Sequence, residues 1–130
     1  MALNVLVVDD SVVVRTMIVK TLRLAGVDLG EVFQGANGQE GLDVLNEQWI
    51  DIAFVDINMP VMNGEEMIEK VRENPVWADL PIIVVSTEGS QTRIDRLLQK
   101  GVRFIHKPFA PEVVRETVSL IVGVDNVTHA

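Results

Sequence analysis

Five short apolar runs, at residues 5–8, 31–34, 52–55, 82–85 and 104–106, alternate along the chain with longer amphipathic stretches. Short strands that each lead into a helical pattern are the mark of βα units and a mostly parallel sheet. The expected architecture is therefore α/β, a doubly wound (βα)5 sheet of five parallel strands. Residues 11–25 read as the first helix, with Ser11 as N-cap, Gly26 as stop, and Val14, Ile18, Leu22 and Ala25 as the stripe that packs on the sheet. The second helix follows the Asn37-Gly38 turn over 38–48, and the third covers 63–73, with Met67, Ile68 and Val71 inward and Asn74-Pro75 ending it. The fourth spans 91–100 and stops at Gly101, and the fifth spans 110–122 with Pro111 in its first turn.

These units use the chain from about residue 4 to 122, and the tail 123–130 is too short for an effector domain. Residues 1–130 are expected to form one domain, a length that suits a single core at 48% hydrophobic residues. No apolar stretch approaches the roughly 20 residues that cross a bilayer, and no basic-then-apolar leader opens the chain, so a cytoplasmic protein is expected. Absence of cysteine excludes disulfides and thiolate metal sites. A formal charge of −8 opposes direct nucleic-acid binding, which depends on lysine and arginine neutralising phosphates. Acidic residues such as Glu40, Glu47, Glu65, Glu69 and Glu73 are spread over the predicted helices and read mainly as solvated surface.

The ends of the runs carry the chemistry. The first closes on Asp9 and Asp10, the third on Asp56, the fourth on Ser86 and Thr87, and the last on Lys107; the run at 31–34 brings no ionisable end group. In a parallel sheet all strands finish on one edge, so these residues gather there. Two carboxylates about 4 to 5 Å apart at an effective dielectric near 20 repel by about 3 to 4 kcal/mol, and a cation offsets that cost. An acidic, all-oxygen set suits Mg²⁺ or Mn²⁺ better than zinc. Helix capping is the simpler role for Asp9 or Asp10 taken singly, and a surface turn is the simpler role for Lys107, but neither accounts for the whole set. Lys107 is one of only four lysines and stands where the edge converges; whether Lys107-Pro108 is a cis bond is left open.

Other doubly wound readings fit less well. A flavin protein needs a Ser/Thr/Gly-rich loop after the first strand to cradle phosphate, and Asp9-Asp10 would repel it. Neither glycine-rich nucleotide motif occurs. A phosphohydrolase with an aspartate nucleophile expects D-x-D after its first strand, whereas adjacent aspartates stand there and Asp56-Ile57-Asn58 comes later.

The set Asp9-Asp10, Asp56, Ser86-Thr87 and Lys107-Pro108-Phe109, with Asn58-Met59-Pro60 and Asn63-Gly64 after the central aspartate, resembles the receiver domain of bacterial two-component response regulators. The stand-alone chemotaxis type is the most similar, and the likeness spans essentially the whole chain. It implies a flavodoxin-like strand order 2-1-3-4-5. It also implies that Asp56 is the nucleophile that takes a phosphoryl group from a sensor histidine kinase. Asp10, Asp56 and the backbone carbonyl of Asn58 would hold Mg²⁺, with Mn²⁺ as a substitute and Asp9 binding through water. Lys107 and Ser86 would contact phosphoryl oxygens, and water would later remove the group, so the domain signals rather than turning over a substrate.

The resemblance further implies a switch in which Ser86 moves toward the phosphoryl group and Phe104 turns inward, although a plain packing role for Phe104 stays open. Asn58 and Glu88 stand where the family flanks the path of the hydrolytic water, which implies a short-lived phosphoryl state; Glu88 also reads as an ordinary loop residue. The exposed side of the first helix and the loop after Lys107 would meet the kinase. A flagellar motor switch protein, a histidine phosphotransfer protein or another pathway that uses the chain as a phosphate sink are the possible outputs, with a monomer expected. His106 and His129 are too isolated for a metal pair, and Trp49 and Trp77 read as edge packing in helix-to-strand connections.

Overall fold

The computed structural model describes residues 2–122, so the tail 123–130 and His129 lie outside the described residues. Strands and helices alternate as β1 (Leu3–Val8), α1 (Val12–Leu24), β2 (Leu29–Gly35), α2 (Gly38–Glu47), β3 (Ile52–Val55), α3 (Gly64–Glu73), β4 (Ile82–Ser86), α4 (Gln91–Leu98), β5 (Arg103–His106) and α5 (Pro111–Val122). All neighbouring strands pair parallel, in the order β2-β1-β3-β4-β5. The five expected units and their strand order are thus present.

Alternate residues of each strand enter two different cores. Leu6, Val8, Val55 and Val84 face one side, where they meet α2, α3 and Leu97 of α4. Val5, Val7, Phe54 and Val85 face the other, where they meet α1 and α5. Burial on both faces is why these strands read as unbroken apolar runs rather than as alternating ones. The expected stripe of α1 is buried at Ile18, Leu22 and Ala25 and half-buried at Val14, and Met67, Ile68 and Val71 of α3 are fully covered.

The boundaries differ in a consistent way. Ser11 caps α1 as expected, and Asn63 is a cap rather than a helical residue: their side-chain oxygens accept from the amides of Val14 at 3.2 Å and Glu66 at 2.9 Å. Ala110 likewise precedes α5, and Gln48 is the C-cap of α2. Helix α4 ends at Leu98 instead of residue 100, because the amides of Lys100 and Gly101 turn back to the carbonyls of Leu97 and Leu98 and Gly101 takes a φ of 76°. Strand β2 is longer than residues 31–34, since its pairing to β1 runs from Leu29 to Gly35.

Candidate functional site

Sheet register gathers the site. Val8 pairs with Val55 and Val55 with Val84, while Ser86 pairs with His106, so Asp9, Asp56, Ser86 and Lys107 emerge side by side at the C-terminal edge. Strand order reverses between β1 and β3, which makes this edge the topological switch point where ligands of such sheets bind. One carboxylate oxygen from each of Asp9, Asp10 and Asp56 lies within 4.8 Å of the others. Asp9 is buried, Asp56 is half-buried and Asp10 is exposed.

Fixed partners hold the arrangement. Lys107 donates from Nζ to Asp9 Oδ2 at 3.1 Å and lies 3.9 Å from Asp56 Oδ1, and its amide donates to the Ser86 carbonyl at 3.0 Å. The Lys107-Pro108 bond is cis. Asp9 Oδ1 accepts from the Ser11 amide at 2.9 Å, and Asp56 Oδ1 accepts from the Ile57 amide at 2.9 Å. Arg15 of α1 was not singled out from the sequence, yet it ties the strand ends together, donating to the Asp9 carbonyl at 2.5 Å and to Gln34 Oε1 at 2.9 Å.

Close packing behind Asp56 requires Gly64. Its amide donates to the Ile57 carbonyl at 2.9 Å, and a Cβ added there would sit 2.0 Å from the Asp56 carbonyl oxygen. No side chain fits without moving the main chain that carries the aspartate. The loop between them also contains exposed Val61 at a φ of 67°, a left-handed conformation that a β-branched residue adopts only under strain.

Burial pushes the Asp56 carboxyl above the ordinary aspartate range and the Asp9 charge pushes the same way, against the opposing pull of Lys107, the Ile57 amide and the Ser86 hydroxyl. Three carboxylates against one ammonium leave an excess of two negative charges in the cluster. The donors are hard oxygens, with one carboxylate open to solvent, a set that fits a small divalent cation keeping part of its water shell.

The remaining expected residues take distinct places. Ser86 is fully buried, and its Oγ accepts from the Glu88 amide at 3.2 Å. Thr87 is exposed. Asn58 is exposed in the loop after β3, and Glu88 is half-buried in the loop after β4. Both lie within reach of Arg93 Nη1, at 3.5 Å from Asn58 Oδ1 and 3.3 Å from Glu88 Oε2. Phe104 is half-buried and meets His106 edge-on with ring centroids 4.7 Å apart.

Two sequence expectations need correction. Glu65 is not a solvated surface acid: Arg96 donates to both its carboxylate oxygens at 2.7 and 3.1 Å, and this pairing holds its carboxyl below the usual glutamate range. Trp49 does not pack at the sheet edge; the residue is 74% exposed, its ring tied by a 3.0 Å bond from Nε1 to Asp51 Oδ1. Trp77, by contrast, packs against the core as expected.

Comparison with known proteins places this geometry. The family model described as "Response regulator receiver domain" matches residues 5–119. The chain is 38% identical over 123 residues to the chemotaxis protein CheY homolog of Campylobacter jejuni, covering 93% of each. It is 36% identical to the chemotaxis protein CheY1 of Helicobacter pylori, covering 95% of this chain and 100% of that one. Among solved structures, chemotaxis protein CheY4 of Vibrio cholerae superposes with a TM-score of 0.81 at 33% identity, covering 94% of this chain and 100% of the other.

Proposed function

The chain belongs to the response regulator receiver domain family, and from that premise we propose that it is a phosphoacceptor whose Asp56 takes a phosphoryl group from a histidine kinase. The observation that carries this reading is the convergence of Asp9, Asp10, Asp56 and Lys107 on one edge of the sheet. Likeness to chemotaxis proteins over more than nine-tenths of the chain supports chemotaxis as the pathway.

In the transfer step an Asp56 carboxylate oxygen forms a bond to phosphorus while the N–P bond of the kinase phosphohistidine breaks. The electron pair of that bond stays on the imidazole nitrogen, which takes up a proton. Lys107 stands 3.9 Å from Asp56 Oδ1 and supplies a fixed positive charge to the equatorial phosphoryl oxygens. The Ser86 hydroxyl, on the strand beside Asp56, donates to another. Asp10, Asp56 and the Asn58 main-chain carbonyl, with Asp9 acting through water, would hold Mg²⁺ or Mn²⁺, which when bound neutralises charge on the phosphoryl group. Removal of the phosphoryl group by water returns Asp56 to its carboxylate.

The new group adds roughly −1.5 to −2 charge and strong acceptor oxygens. Ser86 responds by tightening toward them, and Phe104, half-buried on the neighbouring strand, fills the space beside it. The face formed by α4, β5 and α5 then changes its fit for a downstream protein, a flagellar motor switch protein in the chemotaxis reading. The protein acts as a cytoplasmic monomer; among the described residues no helix is long and apolar enough to cross a membrane.

Intact mass after incubation with acetyl phosphate and Mg²⁺ tests this. One phosphoryl adduct is expected, absent after chelation and absent in Asp56→Asn. An adduct that persists in Asp56→Asn would overturn the assignment of the nucleophile.

A further inference from the structure

We infer that Arg93 is a positioning residue that sets the lifetime of the phosphoryl group, by bridging the two loops that flank Asp56. The inference rests on the phosphoacceptor reading above. Arg93 lies in the first turn of α4, held there by Ser90, whose Oγ accepts the Arg93 amide at 3.4 Å. Its guanidinium reaches back over the edge of the sheet. Nη1 donates to Asn58 Oδ1 at 3.5 Å in the loop after β3 and to Glu88 Oε2 at 3.3 Å in the loop after β4, while Nε lies 4.0 Å from Glu65 Oε1.

The loop after β4 depends on these ties. Thr87 and Gly89 are exposed, and a Cβ added at Gly89 would meet nothing within 4 Å. Glu88 anchors the segment at three points. Its amide donates to Ser86 Oγ at 3.2 Å, its Oε1 accepts the Ser90 amide at 3.2 Å, and its Oε2 takes Arg93. One chain of contacts therefore runs from Ser86 through Glu88 to Arg93 and on to Asn58, two residues after Asp56.

Hydrolysis has to pass between these loops. The water oxygen bonds to phosphorus in line with the P–O bond to Asp56; that bond breaks with its electron pair on the carboxylate. Inorganic phosphate keeps one water proton and solvent takes the other. In-line approach comes from the side facing away from Asp56, and Asn58 and Glu88 extend from the two loops that follow β3 and β4. Bridging them narrows the approach and fixes both side chains, so loss of the bridge speeds dephosphorylation. Both acceptors are met by the one Nη1, whose two hydrogens are fixed in the guanidinium plane, whereas an ammonium's donors rotate freely.

Arg96 provides the internal control. It lies on the same helix and makes the stronger ion pair to Glu65 at 2.7 Å, yet no contact joins it to Asn58 or Glu88 among the described residues. Wild type, Arg93→Ala, Arg93→Lys, Arg96→Ala, Glu88→Ala and Glu88→Ala/Arg93→Ala are phosphorylated with acetyl phosphate and Mg²⁺, rapidly desalted, and followed by acid quench and intact mass.

Dephosphorylation about fivefold faster is expected for Arg93→Ala, the scale of losing one partly exposed charge-assisted contact. Arg93→Lys falls between, and Arg96→Ala keeps the wild-type rate. In the Glu88→Ala background Arg93→Ala adds less than it does alone, as coupled positions require. The same rate in Arg93→Ala as in wild type, or equal acceleration by Arg96→Ala, would overturn the inference while leaving the phosphoacceptor reading intact. A wild-type protein that accepts no phosphoryl group, from either acetyl phosphate or a histidine kinase, overturns both.

Discussion

The two ends of the sheet handle charge in opposite ways. At the N-terminal end Arg72 of α3 spends its guanidinium on main-chain carbonyls, donating to Lys100 at 2.7 Å, Leu80 at 2.8 Å, Ala78 at 3.1 Å and Gly101 at 3.4 Å. Asp51 at the same end accepts the Asn4 amide at 2.7 Å and the Trp49 indole at 3.0 Å. At the C-terminal end three carboxylates crowd within 4.8 Å, with Lys107 as the cation paired to Asp9 and near Asp56. Charges facing fixed backbone dipoles stitch loops to the scaffold. Charges facing each other in excess leave an end that a cation or a phosphoryl donor from outside can stabilise.

The comparison breaks most readily at Gly64. Gly64→Ala forces a Cβ to 2.0 Å from the Asp56 carbonyl, so a loss of about 3 kcal/mol in urea unfolding is expected, with phosphoryl uptake slowed about tenfold or more by the displaced nucleophile. Unchanged uptake would mean that the loop carrying Asp56 yields freely. Arg72→Ala comes next. It strips the donor from carbonyls in two connections, and a loss of about 2 kcal/mol is expected with uptake from acetyl phosphate close to wild type. A selective loss of uptake would show that the two ends are not separable.

Asp56→Asn works in the other direction. It removes the burial cost of the charge, the largest influence on this carboxyl, and the repulsion from Asp9, against a lost attraction to Lys107, a net gain on the order of 1 kcal/mol without metal. Urea midpoints with and without Mg²⁺ check this, and the gap is expected to close in Mg²⁺. The smallest effect concerns Glu65, whose carboxyl is held below its ordinary value of 4.5, first by hydrogen bonding from Arg96. A lowered carboxyl adds stability above the unfolded pKa and loses it as pH falls through the folded one. Glu65→Gln is therefore expected to show a shallower fall in urea midpoint than wild type between about pH 6 and about pH 3. Parallel curves would show that the pair contributes nothing to folding.

The fold and the nucleus of the site were legible because parallel strands convert sequence position into spatial position. Each apolar run ends where its strand ends, so Asp9, Asp56, Ser86 and Lys107 are brought together by register alone. Helix stripes were equally readable, since a period of three to four residues fixes which side faces the sheet. Arg15, Arg72 and Arg93 were not. Their long side chains cross from one element to main-chain or loop acceptors on another, and no periodicity marks such a partner. Glu65 went astray for the same reason, because its arginine lies 31 positions away on a different helix. Trp49 was misplaced because an aromatic ring predicts burial, whereas this ring is held outside the fold by a single bond to Asp51.

A titration of isotopically labelled protein with Mg²⁺, followed through its amide resonances, tests the contrast between the two ends most directly. Saturable shifts are expected at residues 9–11, 56–58, 86–88 and 107, with residues 49–51, 72, 78–80 and 100–101 unmoved. Shifts centred on the N-terminal end, or none at the aspartate cluster at millimolar Mg²⁺, would contradict the account.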